Sequence, residues 1–314
     1  MGIRGRLTRR LYAADLLTVG AALALGVLAI MGSSRIPHWP AVVLTSAVII
    51  AGLPMLAWCR AHTELRVLGF LHDWSMAPLI YVIYLLVAMI NQPLQAGRLC
   101  DAWLIAADRW LCGTDPTVWI GRFANPALTE ILQLAYALFY GLLLAVGAEF
   151  FLKGDDRRFR QWGFMCGCGF YLSYLGYLLV PAVGPRFTLH DFSALDRELP
   201  GLWLTPWLRA FVNVGGMVPS GVSNEMATAL ANRDVFPSGH TMMTLVTMIW
   251  CWRERLRVRW LVSAIGVLLL VATVYLRYHY VVDVAAGAVA ALFCLVTGPR
   301  FHRWVSRRAA TLDL

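Results

Sequence analysis

The chain has 314 residues, of which only 14% are charged and 59% are apolar, and its mean hydropathy is +0.64. A soluble globular domain is about a quarter charged, so these values exclude an ordinary soluble enzyme and point to a membrane. The formal net charge is +9, almost all of it from arginine because Lys153 is the only lysine; such an excess in a soluble chain suggests nucleic acid, but in so apolar a chain it reflects membrane topology, and no nucleic-acid partner is expected.

A bilayer core is spanned by about 20 apolar residues per helix. In chain order, qualifying runs lie near Leu16–Met31, Ala41–Cys59, Trp74–Ile90, Leu128–Phe151, Trp162–Pro181, Gly239–Trp252, Trp260–Tyr275 and Tyr280–Val296. Inside lipid every backbone polar group must pair within its own segment, so each run predicts a helix. The expected fold is an all-α integral membrane protein with about eight transmembrane helices. The first run follows an arginine-rich start, but no small-x-small cleavage pattern follows it, so it reads as a retained span. The start Met1–Arg6 lacks the Ser/Thr of a myristoylation signal.

With the N-terminus inside, the inner segments hold 18 basic residues and the outer ones 9. The inner set is Arg4, Arg6, Arg9 and Arg10, then Arg60 and Arg66, the group Lys153–Arg160, the group Arg253–Arg259, and the tail with Arg300, Arg303, Arg307 and Arg308. Basic residues concentrate on cytoplasmic loops, so both termini are expected in the cytoplasm, with 1–73 as N-terminal helices, 74–299 as a membrane core and 300–314 as a basic cytoplasmic tail. Five of the seven cysteines lie in or beside spans and read as small apolar residues. Cys100 and Cys112 share an outer loop, where an oxidising compartment permits a disulfide.

Two long segments fall outside. Gln92–Pro126 mixes tryptophans with charges (Trp103, Asp108, Arg109, Trp110, Trp119) and reads as interfacial helix, a structural belt. Ala182–Pro237 is punctuated by Gly184-Pro185, Pro200-Gly201, Gly215-Gly216 and Pro219-Ser220-Gly221. Its apolar residues Trp203, Leu204, Trp207, Leu208, Phe211 and Val212 predict a short amphipathic helix over the site, a lid or lipid-entry element.

Ionisable residues near spans gather at outer helix ends, where the cost of burial makes them functional candidates. Pro181–Arg186 closes the fifth run and sets Arg186, a planar fork of donors suited to phosphate, at the surface. A snorkelling interfacial arginine fits the same position. Phe236–Thr241 opens the sixth run: Pro237 and Ser238 start a helix whose N-terminus favours anions, Gly239 permits close approach, and His240 follows within one turn. Tyr275–Asp283 opens the eighth: His279 and Asp283 are four apart on one face, so the carboxylate is expected to orient one ring nitrogen and leave the other nucleophilic, with Arg277 close by. Singly these are a capped helix and a structural His–Asp pair. Together they supply phosphate donors, a nucleophile and a general acid. No metal cluster is evident in the sequence, so no metal and no cofactor is expected.

At these residues the chain resembles the type-2 phosphatidic acid phosphatase superfamily. Ser238-Gly239-His240-Thr241 with Asp234, and His279-Tyr280-x-x-Asp283-Val284, are similar to the branch of inositol phosphorylceramide and sphingomyelin synthases. Pro-x-x-Gly-Pro-Arg186 resembles the first motif of bacterial members, and Asp108-Arg109-Trp110-Leu111-x-Gly113-x-Asp115-Pro116 the preceding loop, so the resemblance covers roughly Leu99 to Thr297. It implies a six-helix phosphatase-type core in which His279 attacks phosphorus, Asp283 supports it, His240 protonates the leaving group, and Arg186, Ser238 and Gly239 hold phosphate oxygens. Arg277 is a further phosphate-binding candidate. Many members carry a lysine ahead of the first-motif arginine and a Ser-Arg pair before the nucleophile; here no lysine precedes Arg186, and Ala272-Thr273 stand in place of the pair. That departure leans toward a transferase.

The expected activity is therefore that of a lipid phosphatase or phosphotransferase, inositolphosphotransferase-like, acting at the outer face on a lipid within the bilayer. Arginine dominance suggests a bacterial inner membrane with a periplasmic site. Two other readings stand beside it. One is a lipid transporter or scramblase, which needs polar residues at the midplane. The other is a serine hydrolase using Ser238 or Ser220, though no Gly-x-Ser-x-Gly elbow is present.

Overall fold

The structure is a computed structural model that describes residues 11–95, 97–219 and 221–312. Arg4, Arg6, Arg9, Arg10, the Met1–Arg6 start and Ser220 lie outside the described residues. Helices dominate, and no strand occurs among the described residues. In order they are α1 (Ala13–Met31), α2 (Trp39–His62), α3 (Arg66–Trp74), α4 (Met76–Leu94), α5 (Asp101–Cys112), α6 (Pro116–Ile120), α7 (Pro126–Ala137) and α8 (Phe139–Leu152). There follow α9 (Asp156–Leu179), α10 (Pro185–Thr188), α11 (Leu195–Glu198), α12 (Thr205–Gly215), α13 (Asn224–Leu230), α14 (Gly239–Arg253), α15 (Arg259–Tyr275) and α16 (Val281–Leu312).

Four helical stretches are long and apolar enough to cross a membrane: Ala13–Met31, Trp39–His62, Met76–Leu94 and Val281–Arg308. α7 and α8, bent by 47° at a short break, make a fifth if they form one span. The chain is thus an all-helical integral membrane protein. The other three expected runs fall on α9, which is long but less apolar, and on α14 and α15, which have 15 and 17 residues. At 1.5 Å per residue, α14 rises about 22 Å, less than the roughly 30 Å hydrocarbon core. Arg66–Trp74 forms a separate helix that the apolar runs did not predict; the helix of the third run, expected from Trp74, begins only after it, at Met76.

The chain divides into two compact units. The first comprises Met1–Ala96, Phe150–Tyr171 and Phe293–Leu314; the second comprises Gly97–Glu149 and Leu172–Leu292. In the first unit α1 and α2 pack as a hairpin. Ala22, Gly26 and Ala29 are buried on α1, and Val42, Ser46, Ile49 and Leu53 on α2. A Cβ on Gly26 would lie 3.3 Å from that of Ser46, so small residues let the backbones approach. The same unit holds a closed polar cluster. His72 lies 2.9 Å from the Asp15 carboxylate through Nε2 and accepts from Arg60 through Nδ1 at 3.2 Å. Arg60 pairs with Asp73 at 3.3 Å, and Tyr12 donates to Asp73 at 2.9 Å. The Arg160 guanidinium lies over the Tyr12 ring at 4.2 Å. These charges sit near helix ends instead of mid-helix.

The second unit gathers α5 to α7, the segment 180–238, α14, α15 and the start of α16. Asn125 caps α7 by accepting from Leu128 N at 3.0 Å, with Pro126 at the first helical position. Cys100 and Cys112 are free thiols at opposite ends of α5. Twelve residues of helix rise about 18 Å, far beyond disulfide reach, so the bridge that a shared outer loop permits does not form within the chain.

Candidate functional site

The site lies entirely within the second unit. α14 begins where Ser238, its N-cap, accepts from Thr241 N through Oγ at 3.1 Å. A Cβ at Gly239 would stand 2.6 Å from the Tyr177 hydroxyl, so only glycine fits there. His240 follows, its ring stacked on Tyr136 at 4.5 Å and tilted on Phe139 at 4.4 Å. Those two aromatics flank the α7–α8 bend, which is how the bend serves the site. His240 Nδ1 lies 3.3 Å from the Tyr136 hydroxyl, and its other nitrogen has no hydrogen-bond partner among the described residues.

The second histidine sits in a tight reversal between α15 and α16. The Thr273 carbonyl accepts from Tyr278 N at 3.0 Å and His279 N at 2.9 Å, and Arg277 takes a left-handed φ of 66° to make the turn. Ala272 and Thr273 thus form the end of a helix. His279 Nδ1 donates to the Val235 carbonyl at 3.1 Å. Asp283 lies farther from that nitrogen, at 3.6 Å, and its carboxylate accepts instead from Tyr280 N at 2.9 Å. The hydrogen bond expected from Asp283 is therefore made by a backbone carbonyl, with the Asp283 carboxyl group 3.6 Å away. Nε2 of His279 has no hydrogen-bond partner among the described residues. Burial holds the His279 imidazole down at about 4, and the nearby Arg186 cation adds to that, outweighing the Asp234 charge and the Val235 bond. It is therefore neutral at pH 7, the form whose second ring nitrogen carries a lone pair.

The two histidine segments are tied together. Ser238 N donates to the Asp283 carbonyl at 3.1 Å, and a Cβ at Gly287 would lie 2.6 Å from the Ser238 carbonyl. The rings of His240 and His279 are 5.7 Å apart by centroid, tilted 57°, so one phosphoryl-sized group can meet both edges.

Arg186 opens from the same region. Gly184, at φ 98°, turns the chain beneath the Tyr278 carbonyl, and Arg186 N donates to the Arg277 carbonyl at 3.1 Å. Arg186 is only 8% exposed, and its guanidinium lies over Phe187 at 4.5 Å and Tyr278 at 5.0 Å. Its one side-chain partner is the neutral Asn213 amide oxygen at 2.9 Å; no carboxylate pairs with it among the described residues. A buried cation without an anion is costly, and an anionic ligand supplies what is lacking. Arg277 is placed differently: its guanidinium pairs with Glu198 at 2.5 Å, so the structure brings together Arg186, Ser238, Gly239, His240, His279 and Asp283 but directs Arg277 to an acid of the loop.

Asn213 lies on α12, the amphipathic helix expected in this segment, and the structure adds which way its faces point. Thr205, Arg209 and Asn213 are buried, while Trp207, Phe211 and Val214 are exposed. The helix turns its polar stripe inward and its apolar stripe outward, as an interfacial helix does. Its start is gripped by Glu130 of α7, which accepts from Leu202, Trp203, Leu204 and Thr205 backbone N–H groups at 2.6–3.2 Å. Sequence reasoning missed Glu130, Tyr136 and Asp101, and it passed over Asp108 as part of a belt. Asp101 accepts from Val183 N at 3.1 Å and Gly184 N at 2.8 Å; Asp108 accepts from Val281 N at 2.9 Å and Val282 N at 2.7 Å. The two carboxylates stand seven residues apart on one helix, two turns on one face, which was the available signal.

A family model described as the PAP2 superfamily matches residues 102–297, well over half of the chain. Among curated proteins, the chain is similar to a PA-phosphatase related-family protein of Dictyostelium discoideum, 25% identical over 226 residues, covering 65% of this chain and 38% of that one. The chain thus spans well under half the length of that relative. No solved structure matches.

Proposed function

The chain belongs to the PAP2 superfamily, and from that premise we propose that it is a membrane enzyme that moves a phosphate-containing group from a lipid through a phosphohistidine. The observation that carries this reading is the pairing of a buried, acid-free arginine, Arg186, with two facing histidines that each keep one nitrogen open.

With Nδ1–H committed to the Val235 carbonyl, Nε2 of His279 is the nucleophile. It attacks phosphorus as the bond from phosphorus to the leaving lipid oxygen breaks. His240 gives that oxygen a proton, and Arg186 with the Ser238 hydroxyl holds the non-bridging oxygens. In the second half a hydroxyl attacks phosphorus, the N–P bond breaks, and His240 takes the proton back. Water as acceptor gives a phosphatase; a lipid hydroxyl gives a transferase. Asp283 supplies negative charge beside the ring as it becomes cationic. These steps use side chains of this chain alone.

The finer reading is transfer of a phosphoinositol group to a sphingolipid-type hydroxyl, with the site on the outer face, periplasmic in a bacterium. The Ala272-Thr273 stretch in place of a Ser-Arg pair supports transfer, and the bias of 18 inner against 9 outer basic residues supports the facing. The relative's name, PA-phosphatase related, supports a phosphatidate-like substrate equally.

The test incubates purified protein with phosphorus-labelled phosphatidate or phosphatidylinositol, with and without ceramide, beside a His279→Ala control. Free phosphate without acceptor identifies a phosphatase, and label moving only with ceramide identifies a transferase. Turnover by His279→Ala equal to wild type contradicts the histidine mechanism.

A further inference from the structure

Helix α5 carries two buried carboxylates that the chemistry above does not use. Asp101, its first residue, binds Val183 N and Gly184 N and accepts from the Tyr280 hydroxyl at 2.9 Å. Cys100 N, just ahead of it, donates to the Pro181 carbonyl at 2.8 Å. Seven residues on, Asp108 binds Val281 N and Val282 N, the first free amides of α16, where a negative charge also complements the helix dipole. One end of α5 therefore grips the backbone two residues before Arg186. The other grips it two residues after His279. Each grip is a pair of charge-assisted bonds, stronger and more directional than neutral ones. The helix between them has a fixed rise of about 1.5 Å per residue. Its outer side is apolar: Trp103 and Trp110 are exposed.

We propose that α5 is the gauge that sets the distance between the anion-holding Arg186 and the nucleophilic His279, with Asp101 and Asp108 as positioning residues acting on opposite sides of the phosphoryl group. This rests on the functional reading above. The two carboxylates act on different quantities. Asp101 fixes the arginine that holds phosphate in ground and transition state alike, so its loss raises KM. Asp108 fixes the helix that carries the attacking nitrogen, so its loss lowers kcat.

The test is steady-state kinetics of full-length Asp101→Asn, Asp108→Asn and, as control, Asp115→Asn, whose carboxylate pairs with the exposed Arg109. Asparagine keeps the size and one acceptor oxygen but removes the charge. A displacement of about 1 Å in a reacting pair costs on the order of 100-fold, so Asp108→Asn is expected to lower kcat by about 10- to 100-fold with KM within about threefold. Asp101→Asn is expected to raise KM by about tenfold with kcat within about threefold; Asp115→Asn matches wild type. Should Asp101→Asn fail to fold, Tyr280→Phe removes one bond to the same carboxylate and is expected to raise KM in the same sense. Equal falls in kcat for both carboxylate variants, or wild-type kinetics in both, overturn the proposal while the histidine reading stands. A wild type that turns over none of the lipid phosphates overturns that reading and this inference with it.

Discussion

Two histidines of this chain lie buried beside aspartates, one in each unit, and they differ in how many ring nitrogens are in use. His72 of the first unit is closed. Nε2 meets Asp15 and Nδ1 meets Arg60, and Arg60 in turn has Asp73. Among the described residues, His279 of the second unit bonds through Nδ1 alone, and the nearby Arg186 has no acid partner. The first arrangement satisfies every charge from within and holds helices together. The second leaves, around one space, a ring nitrogen on each of two histidines without a hydrogen-bond partner and a donor fork without an acid partner among the described residues. A His–Asp spacing does not distinguish the two cases; the count of open valences does.

The sharpest way to break this comparison is to remove each histidine. His279→Ala is expected to lower turnover by about 10⁴-fold or more, since a missing nucleophile leaves only binding and electrostatics, while the purified protein keeps its helix content. His72→Ala is expected to keep wild-type kcat and lose about 3 kcal/mol of stability, because Asp15 and Arg60 lose a buried partner. Activity assays beside thermal unfolding in detergent check both, and a His72→Ala protein that is stable but inactive contradicts the division.

The arginines give the next effect. Arg186→Lys keeps the charge but not the fork, and a fall of about 100-fold in kcat/KM is expected from the loss of preorganised donors. Saturation kinetics read it.

The smallest effects follow pH. His279 is held at about 4 by burial, so the limb of kcat/KM that reports its protonation is expected near pH 4 and not near 6.5. His190, beside Thr117 at 3.0 Å, is also held at about 4, by burial and then by Arg277. Unfolded histidine binds its proton near 6.5. The stability that neutral His190 contributes is therefore complete above about 6.5 and is lost as pH falls from there toward 4. In His190→Gln that part of the acid slope should disappear from thermal unfolding curves.

Much of this was legible in the sequence. The apolar runs marked α1, α2, α4 and the span of α16, because hydropathy over about 20 residues is a local property. Arg186, Ser238, His240, His279 and Asp283 were singled out by their place at the ends of apolar runs. Facing was harder. The periodicity of Trp207 and Phe211 marked a shared face of α12, but sharing a face does not say whether it looks to protein or to lipid, and here it looks outward. Asp101, Asp108 and Glu130 were hard to assign for another reason: the seven-residue spacing of the two aspartates marks a shared helix face but names no partner. Their partners are backbone amides, at Val183, Val281 and Leu202 among others, and a backbone amide has no signature in sequence. The same holds for Val235, whose carbonyl takes the orienting bond that the four-residue spacing assigned to Asp283.

The most direct test of the open-valence account is to trap the intermediate. The enzyme is mixed with substrate labelled at phosphorus, quenched in base where phosphorus–nitrogen bonds survive, and mapped by mass spectrometry. The account predicts label on the peptide carrying His279 and none in His279→Ala. Turnover with no labelled peptide, or label that persists in His279→Ala, contradicts it.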